Sequence, residues 1–509
     1  MIKGLSQVGG LYQEASNSND NQFYLFEDIP FYEASKDKID LALDQAALAF
    51  EESKSLSPQQ LARLLSNIAD EINSHKEIII QTYQSESHYG QGRANGEFGR
   101  TISQIGTFVR LLEKGQYLHA KIDHSTDATP DLRKVLVPIG PIAVFGASNF
   151  PLAFSSAGGD TISALASGCP VIIKGHPFHP ATSELVASCM IQAVTRSNLH
   201  PGLVAHLHGA DYSIGQRLIM HPKLKGVGFT GSHNGGKALF DLAQKRSIPI
   251  PVFAEMGSVN PIIILRDKLN SDQNLANQIA ESVLLGSGQF CTNPGLIFIQ
   301  TNDSQHSFIQ DFINKITSTD INQFVHGDIH KNYVSKIQNL KEGIPDLKLY
   351  QSKSSLGACG VVGIDQLHRY PDLIQEVFGP YSLIVLFDDY QLLTLLAKEF
   401  PGQLTLSILG SRSESNTVSR ISDSLGHIAG RLLFDGVPTG VVLKSTMTHG
   451  GPYPATTDWR FTSVGTDAIY RWLRPITYQS CPDDLLPETL QDSNPLGIYR
   501  QLNDVWGIH

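Results

Sequence analysis

Residues 142–174 read IAVFGASNFPLAFSSAGGDTISALASGCPVIIK: an apolar run, a turn rich in Asn and Pro, a stretch of small residues, and a second apolar run. Short runs of Ile, Val and Phe bounded by Gly and Pro fit strands buried on both faces. The same unit returns as LVAHLHG (203–209), GVGFTG (226–231) and IPVFAE (250–255). Helix candidates start near residues 152, 181, 213 and 235, each long enough to cross a sheet and too short to leave spare loop. This alternation predicts an α/β fold built on a doubly wound parallel sheet.

Downstream of PIIIL (261–265) a second series begins: a helix near 272–286, then GLIFIQ (295–300), YSLIVLF (381–387), LTLSILG (404–410) and RLLFDG (431–436). A second α/β layer follows. Upstream, residues 36–115 read as helical, with the capping sequence SPQQ at Ser57, and are expected to cover one face of the first sheet. The tail from about 465, including AIYRWLRPITYQ, is strand-like and then Pro-rich, a segment suited to packing against a partner subunit.

At 509 residues the chain exceeds what one core supports, so two large domains are expected. A formal charge of -10 without dense Lys/Arg runs argues against nucleic acid as a partner. Five cysteines at wide, irregular spacing suit neither a disulfide framework nor paired zinc knuckles, which points to a reducing cytoplasm. The N-terminal MIKGLSQVGGLYQEAS lacks the apolar core of a secretory signal. Between Lys134 and Lys174 the only charged residue is Asp160, but four prolines interrupt the stretch, so buried strands are expected there rather than a membrane span.

Cys291, in GSGQFCTNPG, sits in a Gly-rich turn after a helix and before a strand, where free backbone N–H groups would lower its pKa and favour the thiolate. Cys169, Cys189, Cys359 and Cys481 read as small apolar residues. Glu255 ends an apolar strand; burial should raise its pKa toward that of a working base, and a structural ion pair is the alternative. Asn149, in GASNFP at the carboxyl edge of a strand, is a turn residue or, with the Cys291 N–H, a donor to an oxyanion. GSHNGGKA (231–238) opens a helix after a strand, a place for phosphate. It is no nucleoside-triphosphate loop, because Ala238 follows Lys237 where Ser or Thr must hold magnesium. No metal site is expected: neither His176 with His179 nor His206 with His208 has an evident Cys, Asp or Glu to complete a ligand set.

Taken in order, ASNFP with Asn149, PVIIKGHP with Lys174, FTGS with Gly231 and Ser232, AEMGS with Glu255, GQFCTNPG with Cys291, and EVFGP with Glu376 and Phe378 resemble the aldehyde dehydrogenase superfamily from about residue 30 onward. The resemblance implies two Rossmann-like α/β domains with a small oligomerisation element: residues 1–255 binding NAD(P), with a hairpin near 118–138; residues 256–464 carrying Cys291; and a packing tail at 465–509. It implies that Lys174 holds the adenine ribose or a 2′-phosphate, Ser232 the pyrophosphate and Glu376 the nicotinamide ribose, with Phe378 near the nicotinamide. The implied chemistry runs through a thiohemiacetal and a thioester on Cys291, hydrolysed by water that Glu255 activates. A cytoplasmic homodimer or homotetramer is the implied assembly.

Details such as FGASNFPLAFSSAGGDT, GRLLFDGVPTGV and HGGPYPATTD are similar to the 2,5-dioxovalerate (α-ketoglutaric semialdehyde) dehydrogenase branch, which includes NADP-linked fatty aldehyde enzymes. Medium- or long-chain aldehydes are therefore the alternative substrate, and a silent protein on the same fold the third reading. Pro177 stands where NAD-preferring relatives often carry Glu, which favours acceptance of NADP; Tyr212 replaces an expected Arg, and Arg217 is the nearby cation. A substrate carboxylate calls for a guanidinium, for which Arg100 and Arg431 are candidates, with structural ion pairing as the more ordinary role.

Overall fold

In the computed structural model, which describes residues 2–14, 21–301, 305–321, 323–396 and 400–509, the apolar runs form strands where their pattern places them. Ile142–Phe145, Val171–Lys174, Val204–Leu207, Gly226–Thr230 and Val252–Glu255 pair in parallel. Across the sheet their order is Val252–Glu255, Gly226–Thr230, Ile142–Phe145, Val171–Lys174, Val204–Leu207, and the short antiparallel strands Gln7–Val8 and Leu11–Tyr12 extend the last edge. The chain begins at the centre, winds outward on one side and returns to the other, so the turns after Phe145 and Thr230 meet at a switch point.

Successive residues of one strand face opposite layers. Ile142 and Val144 join the core beneath the helices Pro58–Ser74 and Gln91–Lys114, whereas Ala143 joins the opposite core with Ile39, Leu43 and Ala46 of the helix Lys36–Ser53. Residues 36–115 are helical as expected, but they cover both faces rather than one. Ile142, Ala143, Val171 and Ile172 are fully buried, each large apolar side chain contributing about 1.5–3 kcal/mol. Ser57 forms the expected capping box with Gln60, starting the helix Pro58–Ser74.

The helix expected from residue 152 starts at Gly159. Residues 151–158 are turns that fold back on the strand end, with the Ala147 N–H donating to the Phe154 carbonyl at 2.8 Å. Gly146 permits this approach, since a Cβ there would lie 2.8 Å from the Ser155 backbone. Asn149 is thereby held at the tip of the reversal.

A second sheet runs Lys348–Gln351, Ala358–Gly363, Tyr381–Phe387, Leu296–Gln300, Ile262–Ile264, Gln403–Leu409, Ala429–Leu433, parallel except for its first strand. The two strands between 348 and 363 went unread in the sequence, because ACGVVG carries glycines and small residues that look like turn. A third sheet sets the hairpin Lys121–Asp123 and Leu132–Pro138 against Leu473–Gln479 on one side and Arg500–Leu502 with Val505–Gly507 on the other. The tail strand is thus paired with its own chain. All five cysteines are free thiols, and among the described residues no helix is long and apolar enough to cross a membrane.

Candidate active site

Glu255 is the last residue of its strand, and its carboxylate points at residues that the C-terminal segment 449–463 delivers. That segment is anchored by main-chain bonds: an isolated bridge pairs Glu255 with Thr456, and Met256 N–H donates to the Ala455 carbonyl at 2.8 Å. His449 follows from this anchoring. Its Nε2 lies 2.8 Å from Glu255 Oε1 and 3.4 Å from Cys291 Sγ. The Ser463 hydroxyl donates to Glu255 Oε2 and also to the His449 carbonyl. Glu255 and His449 are 3% and 1% exposed, so their pairing is sheltered from solvent.

Cys291 lies between the kinked turn Leu285–Gly288 and the strand Leu296–Gln300. Asn260 fixes this turn: its amide donates to the Cys291 carbonyl at 2.8 Å and the Asn293 carbonyl at 2.9 Å. Asn149 Nδ2 donates to the Gln289 carbonyl at 2.8 Å, which spends one amide hydrogen on holding Asn149 beside the cysteine turn and leaves the second. Cys291 and Glu255 are therefore joined through His449, and Asn149 stands beside the cysteine turn.

The electrostatics reverse two expectations. The Cys291 thiol stands well above its ordinary pKa, pushed there by burial and then by the Glu255 carboxylate, although its own backbone N–H works in the opposite sense. Free N–H groups in the turn thus do not suffice to make it a resting thiolate. Burial works to raise Glu255, but the neighbouring His449 ring, together with its hydrogen bond and those of Ser463 and Cys291, outweighs it, and the carboxyl is held below its ordinary value. Glu255 is ionised at neutral pH and poorly basic on its own. His449, on a glycine-rich loop 158 positions from Cys291, was missed in the sequence. A His in HGGPYP without an acidic neighbour carries no local signal.

Of the residues expected to hold a dinucleotide, Lys174 and Ser232 stand on the carboxyl rim of the first sheet, and Glu376 and Phe378 beside the cysteine turn. Lys174 ends its strand half-buried; burial brings its ammonium down to about 8, against the pull of Glu33. Ser232 caps the helix His233–Gln244, accepting from Gly235 N–H at 3.2 Å, and Gly231 N–H donates to the Glu255 carbonyl at 3.0 Å. Glu376 and Phe378 line a cleft with Ser258, Phe290 and Asn293 beside the cysteine turn. Burial lifts the Glu376 carboxyl to about 7, with Lys336 and a Ser258 backbone N–H acting in the opposite sense. Gly257 makes room for it, since a Cβ there would fall 2.3 Å from Glu376 Oε2. A helix N-terminus, a lysine at the sheet's carboxyl edge and a carboxylate near the sulfur fit pyrophosphate, ribose and nicotinamide ribose in turn.

Arg217 does not reach this rim: its guanidinium pairs with Asp40, and Tyr212 is 88% exposed. Lys237, the rejected phosphate-loop lysine, pairs on the surface with Asp241. Of the histidine pairs, His208 does meet a carboxylate, Glu184 at 2.9 Å, brought in by the helix Pro180–Arg196; His206 bonds Ser183 and His179 bonds the Ala147 carbonyl. Among the described residues the one set of three metal-capable side chains is Glu255, Cys291 and His449. Cys169, Cys189 and Cys359 are buried, and burial raises each thiol, Cys189 to about 12.

Arg100 and Arg431 are not ion-paired to any carboxylate within 4.0 Å among the described residues, which overturns the more ordinary expectation for them. Both instead hold the loop 438–441: Arg100 Nη1 donates to the Val441 carbonyl at 2.5 Å, and Arg431 donates to the carbonyls of Gly440, at 3.1 Å, and Pro438. Arg100 Nη2 and Arg431 Nε are buried without a partner. Burial lowers both guanidinium pKa values, and the charge that Cys291 can carry opposes that for each, so both lie within electrostatic reach of the sulfur.

Comparison with known proteins places these features. Residues 29–335 match the model of the aldehyde dehydrogenase family. The chain is 38% identical to an α-ketoglutaric semialdehyde dehydrogenase of Acinetobacter baylyi, across 97% of this chain and 95% of that one. It is 40% identical to α-ketoglutaric semialdehyde dehydrogenase 2 of Azospirillum brasilense, across 92% and 91%. In structure it resembles a betaine aldehyde dehydrogenase double mutant of Staphylococcus aureus solved with NAD+, with a TM-score of 0.79 at 17% identity over 94% of this chain and 97% of that one. γ-Glutamyl-γ-aminobutyraldehyde dehydrogenase of Burkholderia cenocepacia gives the same TM-score, 0.79, at 17% identity, with coverage of 94% and 97%.

Proposed function

Because this chain belongs to the aldehyde dehydrogenase family, we propose that it oxidises 2,5-dioxopentanoate to 2-oxoglutarate with NADP+ or NAD+, using Cys291 as nucleophile. The observation that carries the chemistry is the contact chain from Cys291 Sγ through His449 Nε2 to Glu255 Oε1. Two relatives bearing the α-ketoglutaric semialdehyde name support the substrate.

As an aldehyde enters, the Cys291 proton passes to His449, whose imidazolium the ionised Glu255 stabilises. Sulfur then bonds the carbonyl carbon, and the oxyanion receives the free Asn149 amide hydrogen and the Cys291 N–H. NAD(P)+, when bound, would be held by Lys174, Ser232, Gly231, Glu376 and Phe378 and would accept the hydride that leaves the thiohemiacetal carbon. Collapse of the thiohemiacetal leaves a thioester on Cys291. Once His449 has released the Cys291 proton to solvent, its neutral ring, backed by Glu255, takes a proton from water; the hydroxide attacks that thioester, Cys291 leaves as thiolate, and the acid is released. Glu255 thus acts with His449 rather than alone.

The substrate's carboxylate is received by Arg100 and Arg431, whose unpartnered N–H groups suit an anion and whose charges lie within electrostatic reach of the sulfur. In this reading residues 1–255 bind cofactor, 256–464 carry the chemistry, and the hairpin near 118–138 with the tail 465–509 joins subunits of a cytoplasmic homodimer or homotetramer. Steady-state reduction of both cofactors with short dicarbonyl acids and with a series extending to decanal tests the assignment. A higher kcat/KM for long-chain aldehydes would move it to the fatty-aldehyde alternative, and full turnover by Cys291→Ala would overturn the chemistry.

A further inference from the structure

We propose that Cys291, His449 and Glu255 also bind one Zn2+ ion, which holds the enzyme inactive while it is bound. The inhibitory half rests on Cys291 being the nucleophile; the binding half rests on geometry alone. The sulfur, the imidazole nitrogen and a carboxylate oxygen lie within 4.8 Å of one another. With bonds of about 2.3 Å to sulfur and about 2.0–2.1 Å to nitrogen, tetrahedral zinc sets sulfur and nitrogen roughly 3.5 Å apart, and nitrogen and oxygen roughly 3.3 Å apart. The observed separations are 3.4 Å for Sγ to Nε2 and 2.8 Å for Nε2 to Oε1. Sulfur and nitrogen already have the required spacing, and the carboxylate oxygen need withdraw from that nitrogen by about half an ångström.

The same imidazole nitrogen faces both the sulfur and the carboxylate, so a metal bound to it would lie between them. The carboxylate's other oxygen is held by the Ser463 hydroxyl, and the His449 main chain is tied by N–H donation to Thr462 Oγ1 at 2.9 Å and by acceptance from Ser463 N–H at 2.9 Å. Such outer hydrogen bonds orient zinc ligands. Binding forms sulfur–zinc and Nε2–zinc bonds, breaks the sulfur–hydrogen bond with release of that proton to solvent, and leaves His449 a neutral imidazole with its proton on Nδ1. No electrons move. Thiolate and imidazole select zinc over magnesium or calcium, and three protein ligands leave one position for water.

The test uses metal-free enzyme titrated with Co2+ as the spectroscopic stand-in. One equivalent should produce a thiolate-to-cobalt charge-transfer band with tetrahedral visible absorption, bleached when Zn2+ is added. Cys291→Ser should remove the charge-transfer band, and His449→Gln should weaken binding at least about tenfold. Absence of the band from the unmodified protein, or its persistence in Cys291→Ser, would overturn the site. In the unmodified protein Zn2+ should also protect Cys291 from iodoacetamide, mapped by mass spectrometry, and undiminished alkylation at one equivalent would likewise overturn it. Aldehyde oxidation should fall in step with metal binding and return with a chelator. Full activity at one bound equivalent would sink the nucleophile reading and leave the metal site standing.

Discussion

Replacing His449 with Gln removes the proton acceptor 3.4 Å from the Cys291 sulfur while retaining a side chain that can donate to Glu255. At that distance an imidazolium and a thiolate attract by about 5 kcal/mol at an effective dielectric of about 20. Glu255 shares the same proton and desolvation offsets part of the attraction, so about 3 kcal/mol is a fair net figure, or about 2 pKa units on the thiol. The thiolate fraction at neutral pH then falls roughly 100-fold, but a more basic thiolate is the better nucleophile, with a Brønsted slope of about 0.4–0.5. Alkylation of Cys291 by iodoacetamide should therefore slow about tenfold at neutral pH, and the deficit should shrink and then reverse at alkaline pH as both thiols ionise. Aldehyde turnover, which also loses its proton carrier, should fall about 100-fold or more. Circular dichroism checks the fold. Superimposable alkylation profiles against pH for the two proteins would refute the role given to His449.

Glu255→Gln should release one equivalent of reduced cofactor in a burst and then turn over about 100-fold more slowly, because the thioester lacks an effective base; unchanged steady-state turnover would exclude the relay. Arg100→Met and Arg431→Met should each lower kcat/KM for 2,5-dioxopentanoate by about 10- to 150-fold, the equivalent of a charge-assisted hydrogen bond of about 1.5–3 kcal/mol, and spare pentanal. Equal losses for both aldehydes would show that the arginines only shape the loop. Burial raises Glu376 to about 7, so it is protonated below that pH and a carboxylate above it. As an acceptor for ribose hydroxyls it should tighten NAD+ binding about tenfold from pH 6 to pH 8. Fluorescence titration should show this rise in the unmodified protein and not in Glu376→Gln.

Strands rich in Ile and Val were legible because their periodicity and boundaries are local properties, and the capping box at Ser57 was legible for the same reason. Cys291, Glu255 and Asn149 could be singled out because each interrupts a pattern at a strand edge. Other features depend on which elements fold together. The His449 contact joins residues 158 positions apart, Glu184 reaches His208 from another element, and the pKa directions of Cys291 and Glu255 follow from that mutual packing. ACGVVG becomes a strand between two neighbours, Tyr381–Phe387 on one edge and Lys348–Gln351 on the other. The helix expected from 152 yields to the fold-back that Gly146 allows.

The third sheet imposes an order on biosynthesis. Leu132–Pro138 meets its neighbour Leu473–Gln479 only after 335 further positions, counted from 138 to 473, have been made. At about 5–20 residues per second, a ribosome leaves that edge bare for roughly 17 to 67 seconds. Arg133 and Lys134, on the waiting strand, are the kind of charges that discourage one nascent chain from pairing with the next. Chains stalled before Leu473 should aggregate faster when both are replaced by Thr, a difference light scattering would detect and whose absence would remove this safeguard from consideration.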